Sequence, residues 1–523
     1  MSWLLFAALF FVSLSFQSHS GAWQSDFGGH ADEGAHVVTS LMVRDYLAGG
    51  FLETPHPMRY AQAYYARFPK VALGHYPPGF YLAASVILLP FRSGAAFLLL
   101  MNALAAGAAL LVGGFAGRMG LGRIASVAMA FAYLLLPQTR TYTTIIMADL
   151  LLVLLALLAA RSFARFVRSG TARDSLLFGL WAALAILTKG SAIGLALLPP
   201  LALVIGGRAD LLRSPRLWLA PIPVLLLALP WICLTVGITA EGMEEEGRLA
   251  WIGKAVPFYG RAILDEAGWA GGALLVLAVL GGIIKATRNR RGLDAEESVL
   301  WALLIGAGLV PFLVPAGLDS RYLMPLLPPL LLLGANALHT LVPDLSGAGA
   351  LRLRPFVAVI PALVILAETS RPVRKYYTGA SAAVARIREE ADRGEGPHRA
   401  GPVRILAVSD ATGEGALVAA AALQDPGRFR CERGSKFLAK SDWLGRDYAA
   451  AFRTPEELRR KLRDGAVDFL VLEPPTPRAP WHWQALDGWL RDGTLPAVTM
   501  VAGIPSWRRE VESRFLVYRM AAD

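Results

Sequence analysis

Two adjacent carboxylates, Asp32 and Glu33, stand at the head of an amphipathic stretch, Ala35 to Leu47, in which Val37, Val38, Leu41, Met42 and Tyr46 recur at helical spacing. Carboxylates take up protons, and lysine or arginine holds anionic groups where water is scarce. Three further segments carry such side chains beside apolar runs. The turn Gln138 to Thr144 holds Arg140 and is followed by Asp149, one turn or so into the next apolar run. Lys189 sits alone in Leu187-Thr188-Lys189-Gly190-Ser191, and Arg321 with Tyr322 follows Asp319-Ser320 ahead of Pro325 and Pro328-Pro329. Each has a plain structural reading. Asp32 fits an acid at a helix start, Asp149 an ion pair with Arg140 that locks two helices, and Lys189 and Arg321 side chains snorkelling to headgroups. Ionisable groups at membrane depth are costly and face a cavity or partner, so their convergence is what would make them a site.

The elements that must position them are read from hydropathy. The chain has 523 residues, 55% of them hydrophobic, and the apolar residues fall in blocks rather than at amphipathic spacing. Blocks of a length able to cross a ~30 Å hydrocarbon core recur from Trp3 to Thr369 and then stop. Basic loops at 117–123, 161–174, 207–216, 285–291 and 341–354 are expected to face the cytoplasm. Two apolar blocks lie between each consecutive pair: 124–139 with 144–160, 175–187 with 191–206, 217–237 with 269–284, and 297–316 with 323–340. A last block at 355–369 leaves the cytoplasm, so the segment 17–76, the loop 238–268 and the tail from Ser370 fall outside. Pro78 to Pro90 and Ala95 to Phe115 cannot both cross under this parity. The shorter, proline-bounded Pro78 to Pro90 is therefore read as a re-entrant or interfacial helix. The expectation is an α-helical polytopic membrane domain over 1–369, with about eleven spans, and an extracytoplasmic α/β domain over 370–523. Much of the net charge of +11 lies in the loops that orient the spans, which sets nucleic acid aside as a partner.

The Trp3 to Phe16 block lacks a preceding basic residue and a small-residue cleavage site, so it is read as a retained first span with a cytoplasmic N-terminus. Cys233 and Cys431 imply no disulfide framework. In the tail, short apolar runs at Val403 to Val408, Val467 to Leu472, Ala497 to Ala502 and Phe515 to Tyr518 alternate with helical stretches such as Thr454 to Arg463. Ser409 to Gly415 reads as a tight strand-to-helix turn, with anion binding at the helix start as the alternative.

The ordered set of these features resembles the GT-C glycosyltransferases of the protein O-mannosyltransferase and aminoarabinose-transferase type, including the lipopolysaccharide-core sugar transferases. It comprises the acidic pair Asp32-Glu33, the element His75-Tyr76-Pro77-Pro78-Gly79, Arg140 then Asp149, Leu187 to Gly190, and Arg321 to Pro325, over roughly residues 1–370. Tyr76 interrupts the family's His-Pro-Pro element, and His36 stands where an aromatic often follows the acidic pair.

The resemblance implies a sugar donor on a polyprenyl phosphate, transfer at the outer face of a cell inner membrane, and inversion at the anomeric carbon. Asp32 is then the candidate base, supported by Glu33 or Asp149. Lys189 and Arg321, with Arg140 and Tyr322, would hold the donor phosphate, and His75, Tyr76, Pro77, Pro78 and His36 would position substrate. No metal is required in this reading, although divalent-metal ligation by the carboxylates with His36 or His75 is a variant. The acceptor, whether lipid, glycan or protein, stays open. So do two rivals, a secondary transporter and a glycan ligase using a polyprenyl diphosphate.

Overall fold

The computed structural model describes residues 2–243, 247–288, 293–341, 359–368, 373–393, 401–441, 447–495, 498–508 and 511–521. The loops bearing Arg290, Arg291, Arg352 and Arg354, and the run Glu244 to Glu246, lie outside them. The fold is a polytopic helical bundle with a small α/β domain at its end. Among the described residues six helices are long and apolar enough to cross a bilayer: Ser2–His19, Gly94–Arg118, Asp149–Ser169, Leu217–Ala240, Ala295–Leu313 and Ser320–Thr340. Shorter apolar helices occupy Gly122–Leu135, Gly190–Ile205 and Gly272–Ile284. Ala172–Ile186 and Ile360–Glu368 fall at the remaining expected spans. Gly79–Leu88 has 10 residues, about 15 Å of helix, half of what a crossing needs.

The bundle has two chemically distinct ends. Asp149 begins a 21-residue helix, Asp149–Ser169, about 30 Å long, and Arg168 lies in its last turn. At the Arg168 end, Glu296 pairs with Arg168 and Arg118, Arg165 with Asp174, and Arg208 donates to the Val167 carbonyl. The described basic loops are thus gathered at one end, as their composition predicts.

Three segments differ from expectation. Residues 137–144 form a separate helix started by Pro137, and an extended stretch precedes Asp149, which becomes the first residue of its helix instead of lying a turn inside. The 238–268 segment is helical from Arg248 and runs unbroken to Arg288. Its Trp251 and Tyr259 donate to the carbonyls of Pro311 and Gly317, bracing the turn that carries Arg321. The amphipathic helix Glu33–Asp45 is buried throughout 33–42, because it is packed between Gly79–Leu88 and a helix of the tail instead of presenting one face to solvent.

The tail sheet runs in the order Phe429–Arg433, Val403–Val408, Phe469–Leu472, Val511–Met520, Val498–Arg508, with the first three strands parallel and the last two antiparallel. Its helix Ala411–Gln424 lies on Glu33–Asp45. The crossing is so close that a Cβ at Gly34 would overlap the Gly415 carbonyl. Arg92 closes the far end by donating to the Ala422 carbonyl at 2.6 Å. Asp410 caps the Ala411 helix by accepting from Thr412 and Gly413, and Arg508 pairs with Asp410. The Ser409 to Gly415 turn therefore fills its own anion position with a side-chain carboxylate. Replacing Gly34 with valine is expected to weaken this docking by about 1–3 kcal/mol through overpacking. The loss would be read as a lower unfolding temperature and faster protease cleavage between the last span and residue 403.

Candidate active site

Five chain segments meet at the end of the bundle opposite the arginine loops. Asp32 is the N-cap residue of Glu33–Asp45 and accepts at Oδ2 from the Tyr76 hydroxyl (2.9 Å) and from Arg321 Nη2 (3.1 Å). Its own N–H donates to His30 Nδ1, which leaves His30 Nε2 to donate to Asp319 Oδ2 at 3.2 Å. Asp319 caps the 3-10 turn Ser320–Leu326 by accepting from the Arg321 N–H. Arg321 is thus held between Asp32 and Asp319. Among the described residues its buried Nη1 has no hydrogen-bond partner, and its Nε, 3.2 Å from Asp319, lacks hydrogen-bond alignment.

Beside it, Lys189 donates to Asp149 at 2.6 Å and lies 4.6 Å from the centre of the Tyr322 ring. Helix ends favour this pair, since Asp149 begins one helix and Lys189 follows the C-terminus of Ala172–Ile186. The His75 to Gly79 element docks on the Lys189 turn through the Gly79 N–H, which donates to the Leu187 carbonyl at 2.6 Å. A Cβ at Gly79 would lie 2.7 Å from that oxygen, so glycine is what permits the approach. Pro78 begins the Gly79–Leu88 helix, and the rigid Pro77-Pro78 pair fixes where Tyr76 leaves it.

The carboxylates separate by access. The side chains of Asp32 and Asp319 are 26% and 27% exposed, whereas those of Glu33 and Asp149 are at 0% and 2%. Only the first two can meet a substrate directly. Glu33 is spent on structure, accepting from Gly29, Ile146 and Lys375. Burial by itself would raise the Asp32 carboxyl, but Arg321, His30, His36 and the Tyr76 hydroxyl outweigh it and hold it well below the usual carboxylate range. Burial pushes His36 down to about 4, so its imidazole is neutral at pH 7. His36 Nδ1 contacts the Tyr81 hydroxyl at 3.2 Å, its ring lies against Tyr76, and its buried Nε2 has no partner among the described residues.

Arg140 does not pair with Asp149, whose partner is Lys189. Its guanidinium lies over the Phe16 ring of the first span instead. His75 is half-buried, with Glu241 as its charged neighbour. The residues that sequence reasoning passed over are His30, Asp319 and Lys375. Asp319 stood two residues from Arg321 and His30 two from Asp32, a proximity that could have drawn them in; nothing local marked Lys375. Among the described residues no group of three or more His, Cys, Asp or Glu could hold a metal.

No family model and no curated protein matches the chain. Solved structures do. The ArnT of Cupriavidus metallidurans bound to undecaprenyl phosphate superposes with a TM-score of 0.59 at 14% identity, over 98% of this chain and 97% of that one. Its apo form gives 0.55 at 15% over the same shares. The archaeal oligosaccharyltransferase AglB of Archaeoglobus fulgidus, in complex with an inhibitory peptide and a dolichol-phosphate, gives 0.53 at 13% over 90% of this chain and 69% of that one. The chain has the GT-C fold. At these identities the likeness shows the architecture that sequence analysis expected, a multi-pass helical domain with a C-terminal α/β domain.

A buried carboxylate deprived of its cation keeps its desolvation cost, so Lys189→Met is expected to destabilise the protein by about 3–5 kcal/mol. Adding Asp149→Asn should return part of that loss, with unfolding temperature in detergent as the measurement.

Proposed function

We propose that this chain is a membrane glycosyltransferase that moves a sugar from a polyprenyl-phosphate donor to a hydroxyl acceptor on the extracytoplasmic face, with inversion. One observation carries the reading: an accessible carboxylate, Asp32, shares a hydrogen-bond cluster with a buried guanidinium, Arg321, whose Nη1 has no hydrogen-bond partner among the described residues. The acceptor oxygen attacks the anomeric carbon from the face opposite the phosphate. The bond between that carbon and the phosphate oxygen breaks, and its electron pair leaves with polyprenyl phosphate. The hydroxyl proton passes to Asp32. Arg321 and Lys189 stabilise the charge growing on the phosphate, preorganised where little water competes.

Asp32 is a weak base while Arg321 pulls on it. A phosphate drawn to Arg321 offsets that positive charge, so donor binding strengthens the base it is about to need. An apolar cavity of about 430 Å³, lined by Met42, Leu73, Pro78, Leu82, Trp231 and Ile238, begins two residues from Tyr76 and has the character an isoprenoid chain requires. The lipid phosphates named with both structural neighbours support this donor class. A transporter is disfavoured because the charged groups gather at helix ends rather than at the bundle's middle. The positive-inside pattern supports a cytoplasmic N-terminus and an extracytoplasmic tail. The side-chain cations serve the phosphate in this proposal without a metal, so turnover should persist in EDTA.

Asp32→Asn is expected to lower kcat by about 10²–10⁴-fold at nearly constant donor KM, measured as polyprenyl phosphate released from a panel of polyprenyl-phosphate sugars with membrane extract as acceptor. Equal turnover would remove Asp32 as the base, and release from diphosphate donors alone would replace the donor class. The base must be ionised, so activity falls as pH drops through its pKa. Since kcat/KM reports the free protein, its acid side should stay flat down to about pH 5, while the acid limb of kcat lies higher once phosphate offsets Arg321.

A further inference from the structure

Lys375 lies in 373–381, the strap that enters the tail, yet its ammonium is buried against Glu33, the residue after the candidate base. Its Nζ donates to Glu33 Oε1 at 2.6 Å and to the Thr144 carbonyl at 2.9 Å. Glu33 also accepts from Ile146 N at 3.0 Å and, at Oε2, from Gly29 N at 2.7 Å. The exposures of the two side chains are 5% and 0%. One ion pair thus fastens three pieces of backbone: the Gly29 to Glu33 turn that carries Asp32, the Thr144 to Ile146 stretch that leads to Asp149, and the strap.

The strap is fixed on either side of this point. Lys375 N donates to the Ser20 carbonyl at 2.8 Å, Ser25 Oγ to the Lys375 carbonyl at 2.6 Å, and Asp26 N to the Tyr377 carbonyl at 2.6 Å. Asp26 caps the start of Ala380–Asp392 by accepting from Ala380 at 2.8 Å, and Gly28 has no room for a Cβ against the Tyr377 ring. The strap therefore holds itself in place, and a buried charge is more than docking requires. What the charge adds is a fixed location for the Glu33 carboxylate, and through it for the residue before Glu33.

We infer that Lys375 is a positioning residue for the reaction at Asp32: by closing the ion pair on Glu33 it sets the backbone of both acid-bearing segments, which makes the tail strap a structural part of the active site. The inference rests on the proposed transfer reaction. A displacement of about 1 Å at a reacting group can cost about a hundredfold in rate, so even a small relaxation of the Gly29 to Glu33 turn would be visible in kcat.

The test uses the full chain in detergent or nanodiscs with Lys375→Met, alone and combined with Glu33→Gln. Two quantities are read: hydrogen exchange at the amides of Gly29 and Ile146, and the kcat and donor KM of transfer. For Lys375→Met, exchange at both amides is expected to rise at least about tenfold and kcat to fall at least about tenfold, with donor KM within about threefold and residues 403–424 as protected as in wild type. The double variant leaves no uncompensated buried charge and should recover part of both effects, which loss of packing alone would not give. Wild-type exchange and kcat in Lys375→Met would overturn the inference. So would equal loss of protection in 403–424, which would make Lys375 a docking residue only. Absence of any transfer by the wild type would sink the proposed reaction instead, and exchange at Gly29 and Ile146 would still decide whether Lys375 holds the turn.

Discussion

Charge buried at the edge of a bilayer has to be compensated within the protein, and that constraint organises this molecule. Asp149 begins one helix and Lys189 lies in the turn after another, with side chains at 2% and 5% exposure, so neither helix end can move without exposing or stranding a charge. Arg321 is bound in the same way between Asp32 and Asp319. These pairs bring four chain segments to one end of the bundle and leave two accessible carboxylates beside a guanidinium edge with no hydrogen-bond partner among the described residues. Site and scaffold share the same interactions.

The other end shows the same physics without the chemistry. Glu296 gathers Arg118 and Arg168, and the loops there are basic because the membrane orients them. About 30 Å of helix separates the two ends, which is why arginines can accumulate at one and a carboxylate-rich cluster at the other.

The tail is joined to the site by contacts that tolerate little substitution. Gly34 meets the Gly415 carbonyl, Gly28 meets the Tyr377 ring, and Glu33 is closed by Lys375. Each lies within five residues of Asp32. Substituting the helix that carries the candidate base is therefore also substituting a domain interface.

The sequence alone determined the parts of this protein that hydropathy and local chemistry govern. Apolar blocks predicted the helices that are long and apolar enough to span, loop basicity predicted which of the described loops share an end, and proline-bounded brevity predicted that the helix Gly79–Leu88 is short. Strand-like runs predicted four of the five strands of the tail's main sheet and missed Phe429–Arg433, in which only Phe429 and Cys431 are apolar, as well as the short pair Ala439–Lys440 and Ala449–Ala450. Of the residues in the ordered motifs, Asp32, Tyr76, Asp149, Lys189, Arg321 and Tyr322 lie together in the structure, because the helices that carry them end at the same end of the bundle. Tertiary structure alone decided the pairings. Asp149 takes Lys189 instead of Arg140, since a helix end rather than chain proximity brings a cation to it. Glu33 serves architecture while its neighbour Asp32 stays accessible, because successive residues at a helix start point to different surroundings. Lys375, more than 340 positions from Glu33, was beyond any local signal: burial and pairing depend on distances in space, which spacing along the chain does not encode.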